Sequence, residues 1–250
     1  MHSQRAVVVT PFTPFMRDLE QRFRVATGLA NRSDYKVFYG QIRQAPILTL
    51  GINPGGNPAH VSQDGRINAR GDPASASSSY FEGDEHDVLD CEWQENDGLQ
   101  KLLIPLVGGV REQIRHDVVK TNLAFRRSAK ATHIQVERAF DESAPFLFEI
   151  LAKVRPKLIL LTGPAIPIFV SRYASAEIVV AQVEKEPRVR QTIFAASRVR
   201  LRATGMEALV VQVAHASQFG WTYDRYEIPR RILALMEACP VALAEVESKP

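Results

Sequence analysis

Three short apolar runs in this chain each lead into a polar residue, and this recurring pattern constrains the fold more than any other feature of the sequence. The first run, residues 46–51, has the composition of a buried β-strand, and Asn53 follows it, locked between Ile52 and Pro54-Gly55. In an open α/β sheet, ligands bind in the crevice beyond the carboxyl ends of the strands. Asn53 is therefore placed to hold a water molecule or a ligand.

The same arrangement occurs twice more along the chain. Residues 118–121 run into Asn122, and residues 209–214 run into His215. In a parallel sheet the ends of these strands share one edge, so we expect Asn53, Asn122 and His215 to converge there.

Helical and extended segments alternate along the rest of the chain. Further strands are predicted at residues 36–42 and 157–161, and residues 176–204 are expected to be extended. Apolar periodicity predicts helices over residues 12–29, 99–106, 136–154, 166–173 and 226–238. This alternation indicates an α/β fold with a sheet covered on both faces. We expect a three-layer α/β/α sandwich around a central, mainly parallel four-stranded sheet, in a single domain over residues 1–250.

The composition is that of an ordinary globular protein. Of the 250 residues, 45% are hydrophobic and 24% are charged, and the net charge of +3 permits a nucleic-acid partner without demanding one. The two cysteines, Cys91 and Cys239, argue against a structural zinc site, a four-cysteine iron–sulfur cluster and a disulfide framework. No apolar run approaches the roughly 18 residues that span a membrane. We therefore expect a cytoplasmic protein with no membrane partner.

Residues 56–95 differ from the rest because they are rich in glycine, serine, aspartate, asparagine and alanine. Two interpretations are open. The segment is either a flexible surface loop without a function, or a lid that covers the strand ends, since it begins directly after Pro54-Gly55. A structureless loop of this length inside a compact domain is uncommon, and such loops are often functional or disordered. Residues 245–250 are expected to form a mostly polar tail.

Four segments resemble the uracil-DNA glycosylase superfamily in their order and approximate spacing, over residues 46–238. Gly51-Ile52-Asn53-Pro54-Gly55 is similar to the first motif, in the form used by the mismatch-specific and single-strand-selective branches. His215-Ala216-Ser217-Gln218-Phe219 resembles the second motif. The segment 120–123 resembles the central segment whose asparagine reads the base, and residues 156–163 resemble the structural strand between them.

This resemblance implies a uracil-DNA glycosylase-like fold and a monomeric, monofunctional DNA glycosylase of base excision repair. Such an enzyme hydrolyses the N-glycosidic bond of uracil or a related damaged base that is flipped out of DNA, and it needs no metal or organic cofactor. Asn53 and His215 are then the catalytic residues: Asn53 positions the water, and His215 stabilises the base oxygen as it becomes anionic. Stabilisation of this kind is worth about 3–4 kcal/mol. Asn122, Gly51 and Ile52 belong to the base-binding set, with the Asn122 amide offering a donor and an acceptor.

Other residues complete the expected site. Tyr80 and Phe81 are the candidate stackers for a flipped base. Phe219 falls where the superfamily inserts an apolar wedge into DNA, although core packing is an equal alternative. Trp221 belongs either to the core or to the DNA surface. Candidate phosphate contacts are Ser217, Arg126, Arg127 and Lys130, whereas the arginines at 188, 190, 198, 200 and 202 are better explained as a solvated face.

Several features keep other interpretations open. Asn53 before Pro-Gly is also a common turn former, and Asn122 can cap the segment after it. Ala216 and Gln218 replace two prolines that are usual in the second motif, and no aspartate stands at position 53. The alternatives are therefore a catalytically silent DNA-binding protein of the same fold, or a glycosylase for a non-uracil modified base. An unrelated α/β enzyme acting on a small molecule is a third, and no GxSxG, Walker or GxGxxG motif supports it.

Overall fold

Six β-strands form one sheet in the computed structural model, which describes residues 14–31, 34–39, 42–54, 94–127, 135–186 and 191–238. The strands are β1 (Ile47–Gly51), β2 (Val118–Asn122), β3 (Leu158–Thr162), β4 (Ala174–Glu186), β5 (Gln191–Leu201) and β6 (Glu207–Val213). Their order across the sheet is β2-β1-β3-β6-β5-β4.

Eight α-helices lie in the described residues. They are α1 (Pro14–Thr27), α2 (Gln94–Leu106), α3 (Ile114–Asp117), α4 (Val136–Val154), α5 (Ile166–Tyr173), α6 (Ala216–Phe219), α7 (Trp221–Arg225) and α8 (Ile228–Glu237), with a short 3-10 turn at Arg111–Gln113 before α3. None of these helices is long and apolar enough to cross a membrane.

The helices cover the sheet on both faces, as the alternation of strands and helices predicts. Buried side chains of α1, α4 and α5 pack on what we call the first face, and those of α2, α3, α6, α7 and α8 pack on the second face. Successive residues of β3 show the alternation: Leu158 and Leu160 belong to the second face, and Ile159 and Leu161 belong to the first. A parallel strand buried on both sides has this continuous apolar sequence. The α/β class with a mixed central sheet flanked by helices is thus confirmed.

The sheet is larger than expected. β2, β1, β3 and β6 form the predicted four-stranded parallel core. β4 and β5 form an antiparallel hairpin, and β5 pairs antiparallel with β6, with Phe194 opposite Val213. The count of four strands is therefore wrong, because periodicity predicts that residues 176–204 are extended but does not show that their hairpin extends the sheet.

Most element boundaries agree with prediction within a few residues, and one strand does not form. Residues 36–39 and 42 lie in no strand; the segment 34–36 instead joins residues 125–127 through an isolated bridge between Tyr35 and Arg126. The helix predicted from residue 99 begins earlier, at Gln94. The proposed lid at 56–95 falls almost wholly outside the described residues, as does the tail at 245–250.

Candidate functional site

The carboxyl ends of the four parallel strands lie at one edge of the sheet, and the three predicted polar residues lie at or just beyond these ends. Asn122 is the last residue of β2, Asn53 lies two residues beyond β1, and His215 lies two residues beyond β6. Because the order is β2-β1-β3-β6, Asn122 and Asn53 leave adjacent strands and β3 separates them from the strand of His215.

Asn122, on β2, is held by contacts with two other segments of the chain. It lies beside Gly51 in the parallel register of β1 and β2, and it is only 3% exposed. Its Nδ2 donates a hydrogen bond of 2.9 Å to the hydroxyl of Tyr39. A Cβ atom on Gly51 would overlap Oδ1 of Asn122, so residue 51 must be glycine for the Asn122 side chain to lie where it does.

The backbone beyond β1 is also fixed. The amide of Leu123 donates to the carbonyl of Gly51, and the amide of Ala124 donates to the carbonyl of Ile52, both at 2.8 Å. The Ile52 side chain lies close to Gly163 at the end of β3, where an added Cβ would stand 3.0 Å from Cδ1. Gly163 has a φ of +110°, which favours glycine on conformational grounds as well.

Asn53 follows this anchored segment and is half-buried. Its Nδ2 donates 3.0 Å to the carbonyl of Pro54, which is a contact within its own turn. The side chain thus has a local structural role. Its other amide atom, Oδ1, is the one that can accept a hydrogen bond from water.

His215 is half-buried and has an extended backbone directly before α6. Its carbonyl accepts hydrogen bonds from the amides of Gln218 at 3.2 Å and Phe219 at 2.9 Å. Within the described part of the chain, the imidazole forms no capping bond to α6. The helix therefore orients the backbone of His215 without using its ring.

Two glycines determine where α6 lies against α2. A Cβ on Gly98 would overlap the carbonyl oxygen of Ala216, and a Cβ on Gly220 would stand 2.8 Å from the same oxygen and 2.9 Å from Cα of Gly98. The amide of Gly220 donates to that carbonyl at 3.1 Å. Ala216, which replaces a proline of the second motif, is thus part of a direct backbone contact next to His215.

Sequence reasoning missed Tyr39. Its ring centroid lies 4.0 Å from Nζ of Lys36 and 4.8 Å from Nζ of Lys120, and both lysines are buried. Cation–π contacts of this kind favour the observed ring position. That position brings the Tyr39 hydroxyl to Asn122, 83 residues away in sequence. No spacing marks Tyr39, because only the pairing of segment 34–36 with 125–127 brings it to β2.

The candidate DNA contacts have varied environments. Arg126 forms a bidentate ion pair with Glu142 of α4, and this pair lowers the pKa of the Glu142 carboxyl. Arg127 is 6% exposed. Phe219 is half-buried against the apolar cluster of the second face. Tyr80, Phe81, Lys130 and the side chain of Ser217 lie outside the described residues.

The second arginine group makes structural contacts where it is described. Arg198 donates to the carbonyls of Leu235 and Ala238 at the end of α8, at 2.5 and 3.0 Å. Arg200 lies 3.8 Å from Glu207 on the neighbouring strand. Arginines at 188 and 190 lie outside the described residues.

Two carboxamides and an imidazole lie at this one edge of the sheet, and these groups donate and accept hydrogen bonds without a fixed negative charge. Among the described residues, no cluster of three or more histidine, cysteine, aspartate or glutamate side chains is placed to hold a metal ion. No protein-family model matches this chain, and no curated protein matches it in sequence.

Proposed function

We propose that this protein is a DNA glycosylase of the uracil-DNA glycosylase type, with the fold of that superfamily, acting in base excision repair. The observation that carries the proposal is that Asn53, Asn122 and His215 all lie at the carboxyl ends of the four parallel strands of the sheet. The four motif-like segments lie on β1, β2, β3 and the β6–α6 junction, which is the order that the resemblance implies.

The three residues have separate roles in this proposal. Asn122, with its amide held by Tyr39 and its position permitted by Gly51, reads the edge of a flipped uracil-like base. Asn53 accepts a hydrogen bond from the water that attacks the anomeric carbon. His215 donates to the base oxygen as the N-glycosidic bond breaks and negative charge moves onto the base. The products are a free base and an abasic site.

Phosphate contact by Arg126 requires an exchange of partners. Its guanidinium is bidentate to Glu142, so a DNA phosphate would have to compete with that carboxylate. Arg127 is buried, and a contact with DNA would require it to become more exposed. We therefore assign to these two arginines a smaller part in DNA affinity than their sequence positions suggest.

The experiment measures base release from labelled oligonucleotides, single-stranded and duplex, followed by alkali cleavage at abasic sites. The substrates carry uracil, hypoxanthine, xanthine, 5-hydroxymethyluracil, or thymine opposite guanine. We expect release of one of these bases, and a loss of about a hundredfold or more in rate for Asn53→Ala and for His215→Ala.

Matched controls separate chemistry from folding. Asn31→Ala and His116→Ala change the same residue types at exposed positions away from the sheet edge, and they should leave the rate unchanged. Circular dichroism and thermal unfolding confirm that all four variants fold. Release that persists at the parental rate in the Asn53→Ala, His215→Ala double variant would refute these roles.

One observation favours a second candidate, a catalytically silent DNA-binding protein of the same fold. The amide of Asn53 is bonded to the carbonyl of its own turn, as expected for a purely structural asparagine. This candidate predicts salt-dependent DNA binding without release of any base in the panel. Release of a modified base other than uracil would instead identify a non-uracil glycosylase.

A further inference from the structure

An exposed aromatic and cationic surface lies on the short helix that follows the second motif. Trp221 is 44% exposed, although it is one of the largest apolar side chains of the protein. Arg225, one helical turn later, places its guanidinium carbon 5.7 Å from the centroid of the Trp221 ring and 5.6 Å from that of Tyr226. We call these three residues the α7 platform.

The α7 platform is fixed relative to the sheet edge. Tyr223 and Thr222, on the opposite side of α7, are fully buried. The Tyr223 hydroxyl donates 2.6 Å to the carbonyl of Ala214, the residue before His215. The Thr222 hydroxyl donates 2.7 Å to the carbonyl of Phe219. Exposure of Trp221 is therefore a property of a rigidly anchored helix.

The charge on the platform is suited to an anion. The contacts of Arg225 in the described structure are those with the two rings, and no carboxylate there pairs with it. Two acidic residues are close in sequence: Glu227 lies 3.2 Å from Arg230, and Asp224 is exposed on α7 itself. Asp224 opposes the binding of an anion, so Arg225 must provide the attraction for a phosphate, and the rings offer faces on which a base can stack.

We propose that the α7 platform binds single-stranded DNA next to the candidate site, with one base stacked on Trp221 and with Arg225 contacting the phosphate of that nucleotide. This inference rests on the proposed function, and it names the form of DNA that the same site receives. A base in a duplex has both faces covered by its neighbours, whereas an unpaired base offers a free face to an aromatic ring. Stacking of this kind tolerates any base sequence. Phe219, which is half-buried in the core, contributes less to DNA contact than Trp221.

The test measures binding of unmodified DNA, so it does not depend on base release. Fluorescein-labelled oligothymidine and a duplex of equal length are titrated with the protein, and anisotropy gives the affinity. The chain has two tryptophans, so Trp93→Phe leaves Trp221 as the sole tryptophan, whose emission is followed with excitation that tyrosine does not absorb. We expect its emission to be quenched by the single strand and far less by the duplex.

Variants separate stacking from charge. Trp221→Ala should weaken single-strand binding about tenfold, and Trp221→Phe should restore most of it. Arg225→Gln should lower the slope of log K against log salt by about 0.7, the value for one phosphate on a single strand. Arg225→Lys should restore the slope, because it keeps the charge. The controls are Val179→Ala, which is 61% exposed on β4, and Arg230→Gln, and both should bind as the parent does.

The outcomes distinguish this inference from the proposed function. Quenching of Trp221 and Trp221-dependent binding, without release of any base, would support the α7 platform and contradict the proposed glycosylase activity. Base release with unquenched Trp221 and unchanged binding by Trp221→Ala would overturn the platform and leave the glycosylase intact. Equal affinity for duplex and single strand would overturn the platform as well, and so would the absence of DNA binding.

Discussion

Both faces of the sheet hold buried apolar side chains, but one contact on each face is built in a different way. On the first face, Phe23 of α1 has its ring centroid within 5.5 Å of Tyr35, Phe125 and Phe146, so large rings fill the space between elements. On the second face, α2 and α6 meet through backbone atoms at Gly98, Ala216 and Gly220, and neither glycine has room for a Cβ. The packing around Phe23 therefore depends on large side chains, whereas the α2–α6 contact depends on their absence at two glycines, although apolar side chains fill the rest of the second face. The geometry around His215 depends on the α2–α6 contact.

The largest expected effect is on the first face. Phe23→Ala removes a fully buried ring that three other aromatic rings contact, and we expect a loss of about 3–5 kcal/mol in the free energy of unfolding. Denaturant titration measures this loss. Val25→Ala on the same helix, at a side chain that is 73% exposed, is the control and should change stability little. Similar losses in both variants would show that the aromatic cluster is not what stabilises this face.

Gly98→Ala tests the α2–α6 contact on the second face, because it adds a methyl group there. Helix propensity alone predicts that this change stabilises α2 by up to about 1 kcal/mol. The backbone contact with Ala216 predicts the opposite, a loss of about 3 kcal/mol, because the obstacle is a main-chain carbonyl that a rotamer change cannot move. Denaturant titration gives the sign.

The Gly98→Ala variant should also disturb the site. Displacement of α6 should shift the NMR resonances of the His215 imidazole. Gly108→Ala is the control: alanine is strained at its φ of +78°, but an added Cβ there has no neighbour within 4 Å, so α6 should not move and those resonances should stay in place. A stabilised Gly98→Ala variant with an unshifted His215 would refute the backbone contact.

Gln212 sharpens the comparison, because it is a polar group on the first face. Its Oε1 accepts hydrogen bonds from the amides of Ala165 at 2.9 Å and Ile166 at 3.2 Å, at the start of α5. Gln212→Met keeps the size but leaves two buried donors without this acceptor, so we expect a loss of about 2 kcal/mol. Gln218→Met, at an exposed position, should cost much less in the same denaturation assay.

The smallest expected effect is a pH dependence at the rim of the first face. The guanidinium of Arg126, bonded to the carboxyl, lowers the pKa of Glu142 below its ordinary value of 4.5. A lowered folded-state pKa means that the ionised pair stabilises the protein above pH 4.5. This stabilisation disappears as the pH falls through the lowered pKa.

Glu142→Gln should therefore reduce the unfolding free energy at pH 7 by less than about 1 kcal/mol, since the pair is partly exposed. At the acid end, below the lowered pKa, the parent and the variant should converge. Denaturant titration at a series of pH values checks this. A difference that stays constant from pH 7 to pH 3 would assign the effect to something other than the charge of Glu142.

The apolar strands and the long helices could be predicted because their signals are local. The helices over 136–154 and 166–173 match prediction at both ends, since each has a complete apolar stripe. The strand predicted at 36–42 failed because its partner, residues 125–127, is distant in sequence and pairs with it only at residues 34–36. The hairpin of β4 and β5 was expected as extended chain, but its place beside β6 is a tertiary property.

The candidate site divides in the same way. The sequence determined that Asn53, Asn122 and His215 follow strands, because an apolar run that ends in a polar residue is a local pattern. Only the tertiary structure decided that Tyr39 bonds to Asn122, that Gly51 makes room for it, and that Gly98 and Gly220 determine the position of α6. The physical reason is that hydrogen bonds and close contacts between distant segments depend on position in space, which no periodicity along the chain encodes.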